Sequence, residues 1–531
     1  QGVSSAASDV YKRQTMTQQN LTLDTLRSPQ PLDERAANRS RSPQSSTFAT
    51  FMGSNWAETS QATDNTAVSA VKQFLPARHT AVTRHYPGTV LLVPAGSYKT
   101  RSADEDYLFR PHSAFVWLTG LGLEYEPDSA VVFYPDGNSH KAVLYFQPPA
   151  SRSTDQFYAD SRYGEFWVGA RPTITQMEAY TGLTVRPLTS LESDLRKAVA
   201  HTPTRLLRNV DSTIDALVQE LVGDKTWNDT AEEDKTFEVL LGTVRMWKDS
   251  WEIDQIQQAV NLTATCFEKV IASLPEAVHH PRGERVAEVA FSAAARLGGH
   301  GTGFDTIAAA GSHATTMHYM ENAGPIAPDD LLLIDAGAEI DSLYSGDITR
   351  TFPVSGTFSP TQRKVYEAVL GANEAAFKQA QQPGCHYRQI HDAAIRFLAE
   401  TLSEWGLLPC SVEEAISPNG QQVRRWMPHG TGHHLGLDTH DCSVTPRDFY
   451  MDAPLEPGMV FTIEPGLYFR TDDELIPEEL RGIGIRIEDD IVVNDDHTVR
   501  RLSADIPRTA DEVEAWMKRV WSRNALSLIH I

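Results

Sequence analysis

Five residues have the chemical types that bind divalent metal ions in enzymes. They are four carboxylates and one imidazole: Asp335, Asp347, His433, Glu464 and Glu488. Four of the five end or interrupt an apolar, β-branched stretch, where an unpaired buried charge is costly. Bound cations would offset that cost, and hard oxygen donors with one nitrogen donor suit Mn²⁺, Fe²⁺, Co²⁺ or Zn²⁺. The sequence therefore predicts a two-metal hydrolase.

The two aspartates lie on either side of one predicted β-hairpin. Asp335 ends the apolar run LLLID, and Asp347 precedes the strand-like stretch ITRTFPV. A hairpin would bring the two carboxylates together, and cations would relieve their repulsion. The alternative is an ordinary turn aspartate at each position, which is common before Gly or Ile.

A histidine-rich segment, HGTGHHLGLDTHD, spans residues 429–441. It contains His429, His433, His434 and His440. A lone histidine is more often structural than a ligand, but this density favours a site. Because His433 and His434 are adjacent, periodicity alone leaves open which of them points inward.

The two glutamates follow predicted strands. Glu464 ends MVFTIE and precedes a Pro-Gly turn, whereas Glu488 follows an alternating isoleucine pattern. Arg486 would share a face with Glu488, and a salt bridge from Arg486 to a neighbouring acid is the alternative to a role in catalysis. Asp489 and Asp490 are expected to be solvated or turn-forming.

The first half of the chain shows strands that alternate with helices, which predicts an α/β domain. It contains no catalytic constellation. Helical patterns occur near 171–182 and 212–222. The β-rich runs, separated by Pro, Gly and Asp turns, are 89–96, 113–121, 129–137 and 141–149.

The second half predicts an α+β domain in which strands present the charged residues and helices pack behind them. Capping signals predict where its helices begin and end. The first predicted helix starts at Asp249 with Glu252, and the second covers about 283–297. The third runs from Ser359-Pro360 to Pro383-Gly384, and the fourth runs from 387 to Trp405. The last starts at Thr509 with Glu512 and ends near Ser522.

Both ends of the chain look foreign to the protein. The opening QGVSSAASDVYKRQ and the closing ALSLIHI resemble translated sequencing adapter, and Met16 is a plausible start. The polar stretch that follows predicts a disordered tail. The predicted divisions are 1–61 for artefact and tail, 62–245 for the N-terminal domain, 246–523 for the catalytic domain and 524–531 for artefact.

Composition excludes several classes of partner. The 531-residue chain has a formal net charge of −23, which argues against nucleic acid and anionic membrane surfaces. No apolar run reaches the length of a membrane span. The four scattered cysteines indicate reduced thiols rather than a disulfide framework. We therefore expect a soluble, cytoplasmic protein.

Together these motifs resemble those of the pita-bread metallopeptidases, in the Xaa-Pro aminopeptidase (aminopeptidase P) and prolidase branch. The strings that carry the resemblance are DAGAEI, SGDITRTFPVSG, HGTGHHLGLDTHD, VFTIEPGLYF and RGIGIRIEDDIVV. It is strong over about 246–505. It implies a catalytic α+β domain of pita-bread type preceded by a smaller α/β N-terminal domain.

The resemblance also implies two divalent ions per subunit, usually Mn²⁺. By motif position, Asp335 would bind one ion and His433 with Glu464 the other, while Asp347 and Glu488 would bridge them. A hydroxide between the ions would attack the scissile carbonyl. Glu464 would also act as proton shuttle.

The same family places three histidines around the substrate, at positions that match His318, His429 and His440. Arg486 matches an arginine that orients the site. These side chains would contact the substrate or support the site rather than bind metal. The resemblance, and not the periodicity, selects His433 over His434 as the ligand.

In the resembled family the N-terminal domain closes over the active-site mouth and supports homodimers or homotetramers. Trp167, in GEFWVGARP, matches an aromatic residue at that mouth. The alternative is a core position, because a tryptophan beside Phe and Val is more often buried.

The predicted activity is removal of the N-terminal residue from peptides that have proline second. The nearest alternative is an Xaa-Pro dipeptidase (prolidase), which would share every metal ligand. Methionine aminopeptidase normally lacks a leading domain of this size. A non-catalytic binding protein on the same fold, or a metal-free creatinase-like hydrolase, would typically have lost ligands, and all five are present here.

Overall fold

The computed structural model describes residues 45–56, 70–102, 105–123 and 127–529, with side chains to residue 523. Most of the predicted tail and the last two residues lie outside the described residues. In the part that is described, no helix is both long and apolar enough to cross a membrane. Within these residues the chain forms two compact units, a small one built from 45–56, 98–102, 105–109 and 148–172, and a large one containing the other described residues.

The large unit begins with a five-stranded mixed sheet. Its central pairs are antiparallel and its two edge strands pair in parallel. Valines and leucines that alternate along the strands pack against two helices, Leu191–Val199 and Ser212–Val222. The α/β prediction is therefore confirmed. In spatial order the strands are Thr184–Pro187, Ser139–Phe146, Ala130–Asp136, Val90–Pro94 and Thr204–Leu206.

One predicted strand in this half is wrong, because the 113–121 run contains a helix. Ser113–Thr119 is helical and completely buried. The His112 ring accepts a hydrogen bond from the amide of Ala114 at the first turn, and Gly120 ends the helix in the left-handed conformation with φ of 70°. Burial on all sides and these two end signals override the β-propensity of the sequence.

The helices predicted for the catalytic half are all present. The capping box of Asp249 with Glu252 is formed, and the last helix extends beyond the predicted end at Ser522. The longer helices are Ser250–Ala277, Gly283–Gly298, Pro360–Ala380, Tyr387–Glu404 and Ala510–Ile529. Shorter helices in the large unit are Leu75–Thr83, Ile174–Thr181, Asp224–Asp229, Ala231–Thr243, Val412–Ile416 and Arg447–Tyr450.

Small antiparallel sheets carry the charged motifs of the catalytic half. Strands Leu331–Ala336 and Ile348–Pro353 pair as the predicted hairpin, which we call the ligand hairpin. Ile307–Ala310 extends that sheet. The other pairings are Val460–Ile463 with Asp489–Val493 and Val499–Arg501, Gly466–Phe469 with Ile483–Arg486, and Gly301–Thr302 with Ala338–Glu339.

The expectation that Asp489 and Asp490 are solvated or turn-forming is wrong. Both begin a strand and are fully buried. Asp489 pairs with Arg350 at 2.8 Å, and Asp490 accepts the amide of Asp347 at 3.0 Å. Burial is possible because each carboxylate has donors within reach, which the local sequence does not show.

The described residues of the small unit form only short helices and strands. Helix Ser46–Gly53 falls inside the segment predicted as a tail and is capped by Ser45. The Trp167 side chain is 54% exposed, so its core alternative is wrong. The remaining elements are Gln156–Ala159, Glu165–Val168, Thr100–Ser102 and Glu105–Asp106.

Candidate metal centre and active site

A cavity of about 1410 Å³ in the catalytic half collects the predicted site residues. Arg110 also lines it, although it comes from the N-terminal half of the chain. The predicted residues that line the cavity are Asp335, Asp347, His433, Glu464, Glu488, His318, His429, His440 and Arg486.

Three of the predicted ligands form a compact donor group. One donor atom from each of Asp347, His433 and Glu488 lies within 4.8 Å of the other two. Nε2 of His433 is 3.2 Å from a carboxylate oxygen of Asp347 and 3.9 Å from one of Glu464. Asp335 instead accepts a hydrogen bond from Arg486 at 2.5 Å.

The register of the ligand hairpin explains why the two aspartates converge. Asp335 lies opposite Thr349, so Asp347 lies just before the paired part of the second strand. The intervening loop folds tightly back on the first strand, since a Cβ on Gly337 would lie 1.7 Å from the carbonyl oxygen of Gly346. Only glycine permits this approach.

Backbone hydrogen bonds attach the 429–441 segment, called here the histidine loop, to strand Val460–Ile463. The Thr462 amide donates to the carbonyl of His433 at 2.8 Å, and the Glu464 amide donates to that of Thr431 at 2.7 Å. The amide of His433 donates to the Thr462 hydroxyl at 3.2 Å. This pairing places the His433 and Glu464 side chains in the same cavity.

The structure separates the two adjacent histidines. His433 faces the carboxylates, whereas His434 is fully buried, with its ring between Tyr387 and Tyr450. Burial lowers the pKa of His434 to about 3, so its ring is neutral. His434 therefore has the environment of a core histidine.

Arg486 connects several site residues. Its guanidinium donates to Asp335, to the Tyr468 hydroxyl at 2.8 Å and to the Thr349 hydroxyl at 3.2 Å. Thr349 in turn donates to Glu488 at 2.8 Å. The salt bridge considered for Arg486 exists, and its acidic partner is itself a predicted ligand.

His429 is fixed in one neutral form by its neighbours. Its Nδ1 lies 2.6 Å from the Gly430 carbonyl oxygen, and its Nε2 lies 2.8 Å from the Tyr468 hydroxyl. A carbonyl can only accept, so Nδ1 carries the proton and Nε2 accepts from Tyr468. Burial lowers the pKa of His429 to about 3, in agreement with a neutral ring.

The loop that carries His318 is organised by a buried glutamate, Glu284. The Glu284 carboxylate accepts from the amides of Ala310 at 2.9 Å and Gly324 at 2.5 Å, and from the Tyr319 hydroxyl at 3.0 Å. Because Tyr319 follows His318 directly, these bonds restrict the backbone at the cavity wall.

Burial disfavours the negatively charged form of the carboxylates in the site. It raises the pKa of Asp347 and raises that of Glu488 well above its usual value, with a further increase from repulsion by neighbouring carboxylates. Burial also raises the pKa of Glu464 to about 7. Burial lowers the pKa of His433, but its hydrogen bond to Asp347 and the negative charges of Asp347 and Glu464 together outweigh this effect and raise the pKa to about 9.

The residues present fit a divalent cation. Four carboxylates converge here, and Arg486 donates a hydrogen bond to one of them, Asp335. Oδ1 of Asp335 is buried and has no hydrogen-bond partner among the described residues. Carboxylates and one imidazole form a hard donor set that suits Mn²⁺ or Zn²⁺. Cations would supply the charge that this protein environment lacks.

Three contributors to the site were not predicted from the sequence. Tyr468 and Thr349 lie within quoted motifs, but a hydroxyl near a charged residue is too common to identify a site. Arg110 lies more than 200 positions before the nearest ligand, and only the fold brings it to the cavity.

Family models match both halves of the chain. Residues 254–495 match the metallopeptidase family M24, and residues 75–207 match the aminopeptidase P N-terminal domain. The chain is 43% identical over 470 residues to Xaa-Pro aminopeptidase 1 of Streptomyces coelicolor, an alignment that covers 88% of this chain and 91% of that protein.

Comparison with solved structures points to the same family as comparison with sequences. The structure resembles that of Pseudomonas aeruginosa aminopeptidase PepP, with a TM-score of 0.72, 29% identity, and coverage of 85% of this chain and 99% of that one. It also resembles a zinc-substituted Escherichia coli aminopeptidase P with bound product, with a TM-score of 0.73, 28% identity, and coverage of 85% and 98%. The chain therefore belongs to metallopeptidase family M24, with an N-terminal domain of the aminopeptidase P type.

Proposed function

We propose that this protein is a metal-dependent Xaa-Pro aminopeptidase that releases the first residue of peptides with proline in the second position. The observation that carries the proposal is the donor group of Asp347, His433 and Glu488 within 4.8 Å, in a cavity that also contains three predicted substrate histidines. Sequence relatives with that activity match almost their full length.

Two divalent ions, with Mn²⁺ as the proposed native metal, would be bound by the five predicted ligands. Asp335 would bind one ion, and His433 and Glu464 would bind the other. Asp347 and Glu488 would bind both ions. When bound, such ions polarise the scissile carbonyl and lower the pKa of a water molecule. Membership of family M24 and the hard donor set support a divalent metal.

The remaining cavity residues would orient the peptide and move protons. Glu464, beside His433 in the cavity, would accept a proton on its carboxylate and deliver it to the departing proline nitrogen. His318, His429 and His440 would contact the peptide on either side of the scissile bond. Arg486 would hold Asp335 in a fixed orientation through their hydrogen bond.

The test uses chelator-stripped protein with and without added Mn²⁺, on an Xaa-Pro-Pro tripeptide and on an Xaa-Pro dipeptide. We expect Mn²⁺-dependent cleavage of the first bond of the tripeptide. Cleavage of the dipeptide alone would instead make the protein a prolidase. No cleavage of either substrate by metal-loaded protein would overturn the proposal.

The choice of metal needs its own measurement, because many hydrolases work with several ions. Stripped protein is reloaded with Mn²⁺, Zn²⁺, Co²⁺ or Fe²⁺ at equal free concentrations, and metal content is measured beside activity. We expect two ions per subunit and the highest kcat/KM with Mn²⁺. Binding of one ion per subunit at full activity would contradict the two-metal assignment.

We further propose a homodimer or homotetramer located in the cytoplasm. The small unit exposes the large apolar side chains Phe51, Tyr107, Leu108, Phe166 and Trp167, the kind of surface that oligomers cover. Light scattering on a size-exclusion column gives the mass, and a monomer at micromolar concentration would contradict the oligomer. The four cysteines, unpaired in the structure, support a reducing compartment, which cell fractionation tests.

The predicted division at 245/246 remains a proposal. The two family matches end at residue 207 and begin at residue 254, on opposite sides of it. Limited proteolysis followed by mass spectrometry is expected to separate the two domains near this position.

A further inference from the structure

Arg110 links the N-terminal domain to two parts of the catalytic half. Its Nε and Nη2 donate to the Glu339 carboxylate at 3.1 and 3.0 Å. Nη2 also donates to the carbonyl oxygen of Leu437 at 2.5 Å. Because the Arg110 side chain is only about one-third exposed, water competes only weakly for these hydrogen bonds.

The residues around Leu437 in the histidine loop are held by further side chains from earlier in the chain. The Ser113 hydroxyl donates to Asp438 at 2.5 Å, and Arg245 donates to the other oxygen of Asp438 at 2.8 Å. Arg245 also bonds to Asp441, and Lys248 donates to Asp441 at 2.9 Å. Every one of these contacts lies within three residues of His440.

We propose that Arg110 is a positioning residue for His440, so that the N-terminal domain helps to set the geometry of the active site. Arg110 fixes the backbone at Leu437, on one side of His440, while Arg245 and Lys248 fix Asp441 on the other side. The His440 ring packs against the ligand His433 with a centroid separation of 4.3 Å. The catalytic part of this inference rests on the proposed function of His440.

Glu339 explains why an arginine is needed at position 110. The Glu339 carboxylate is almost fully buried, and its second oxygen lies 2.7 Å from Nδ1 of His300. This fixed carboxylate orients the planar guanidinium, whose fork then reaches the Leu437 carbonyl. A lysine ammonium could neutralise Glu339, but it lacks the rigid fork that spans both acceptors.

The first test measures backbone order and does not depend on activity. Hydrogen–deuterium exchange is compared between the wild type, Arg110→Met and the control Arg186→Met, which removes a half-exposed arginine paired with Asp194 in the same domain. We expect amide exchange over 434–442, which includes the bonded amides of Gly436 and Asp441, to become about threefold faster only in Arg110→Met. Unchanged exchange would overturn the proposal, whatever happens to activity.

The second test asks whether the effect passes through His440. We expect Arg110→Met to lower kcat/KM about 10-fold on an Xaa-Pro-Pro peptide, with metal content unchanged. In a His440→Ala background the same change should have almost no further effect, whereas in a His318→Ala background the losses should multiply. Losses that multiply in the His440→Ala background would overturn the proposal.

The conservative variant Arg110→Lys separates the loss of the guanidinium fork from misfolding of the protein. Arg110→Lys keeps the charge beside Glu339 and is expected to fold with the melting temperature of the wild type. It should nevertheless reproduce the faster exchange over 434–442, and wild-type exchange in this variant would contradict the role of the fork. If the wild-type protein has no peptidase activity, the proposed function fails while the exchange result still decides whether Arg110 orders the loop.

Discussion

At the scale of single residues, the buried carboxylates of the cavity would be stabilised by bound cations. Glu488 is almost fully buried, with the hydroxyl of Thr349 as its side-chain partner at 2.8 Å. A lone hydroxyl does not compensate a buried carboxylate. As a proposed ligand, Glu488 would lose its stabilising partner when the metal is removed, so we expect metal content and activity to change together.

We therefore expect Glu488→Gln to lose both bound metal and peptidase activity. We expect metal content measured by mass spectrometry to fall and kcat/KM to decrease by about 100-fold or more, because changes of even outer-shell partners cost up to that much. The matched control is Glu252→Gln, another buried glutamate, which bonds to Tyr344. Full metal content in Glu488→Gln, or equal loss in the control, would contradict the ligand assignment.

A second residue, Asp473, gives a pH-dependent prediction away from the metal centre. Hydrogen bonds from Arg425 at 2.7 and 3.0 Å lower the pKa of Asp473 to about 2. Since the unfolded chain has an ordinary carboxyl pKa of about 3.9, the ionised form stabilises the folded state. That stabilisation, about 2 kcal/mol, is complete above pH 5 and is lost as pH falls through 4 towards 2.

Urea unfolding of the wild type and Asp473→Asn from pH 7 to pH 3 measures this contribution. The difference in unfolding free energy should stay constant from pH 7 to pH 5 and shrink below pH 4. A difference that grows on acidification would show that the sign of the pKa shift is wrong.

At the scale of elements, the ligand hairpin is the part of the fold most sensitive to a small change. The hairpin depends on the close approach of Gly337 to the Gly346 carbonyl, with Asp335 near the end of the first strand and Asp347 just before the start of the second. An added methyl group would overlap a backbone atom rather than a movable side chain. Strand separation is then the only relief.

Gly337→Ala is expected to reduce metal content strongly and to destabilise the protein by several times more than a simple glycine replacement. The control, Gly406→Ala, lies after helix Tyr387–Glu404 with φ of 72° and open space around it, so it should cost about 1 kcal/mol. Thermal unfolding and metal analysis of both variants check this. Equal effects would mean that backbone conformation, not overlap, determines the role of Gly337.

Elements with local signals were predicted well from the sequence. The capping box of Asp249 with Glu252, the Ser359-Pro360 helix start and the hairpin between Asp335 and Asp347 each depend on neighbouring residues. The helix Ser113–Thr119 was not predicted, because its burial on every side comes from distant parts of the chain. Asp489 and Asp490 were misjudged for the same reason, since Arg350 and the Asp347 amide are remote in sequence.

The proposed metal ligands were chosen from flanking motifs that are specific to the family, whereas no such motif marks the supporting residues. Tyr468 and Thr349 act through hydrogen bonds to Arg486 that depend on strand pairing. Arg110 depends on docking between segments that are more than 200 residues apart. Sequence patterns record what a segment does locally, and they do not record its distant partners.

At the scale of the whole molecule, Arg78 joins the N-terminal and catalytic parts of the large unit. It is buried and pairs with Asp249 at 2.8 Å, and its guanidinium lies 3.7 Å from Glu252. These two acids form the capping box of the long helix Ser250–Ala277. The N-terminal half therefore supports the helix that begins the catalytic half.

Arg78→Met should lower the unfolding free energy by about 3 kcal/mol, because it leaves Glu252 buried without its nearest cation. The control Arg101→Met breaks an exposed pair with Glu105 and should cost less than about 1 kcal/mol. Calorimetry compares the two variants. A similar small loss in both would mean that the buried pair contributes no more than a surface pair.

The spacing of the ligands along the chain has a consequence for synthesis in the cell. Asp335 is translated early in the catalytic half, but Glu488 and the strand after it are made roughly 150 residues later. A growing polypeptide cannot assemble the centre until most of it has left the ribosome. Because Glu488 is a proposed ligand, we expect truncated products that stop before residue 488 to be inert, so that no partly made copy cleaves the peptides around it.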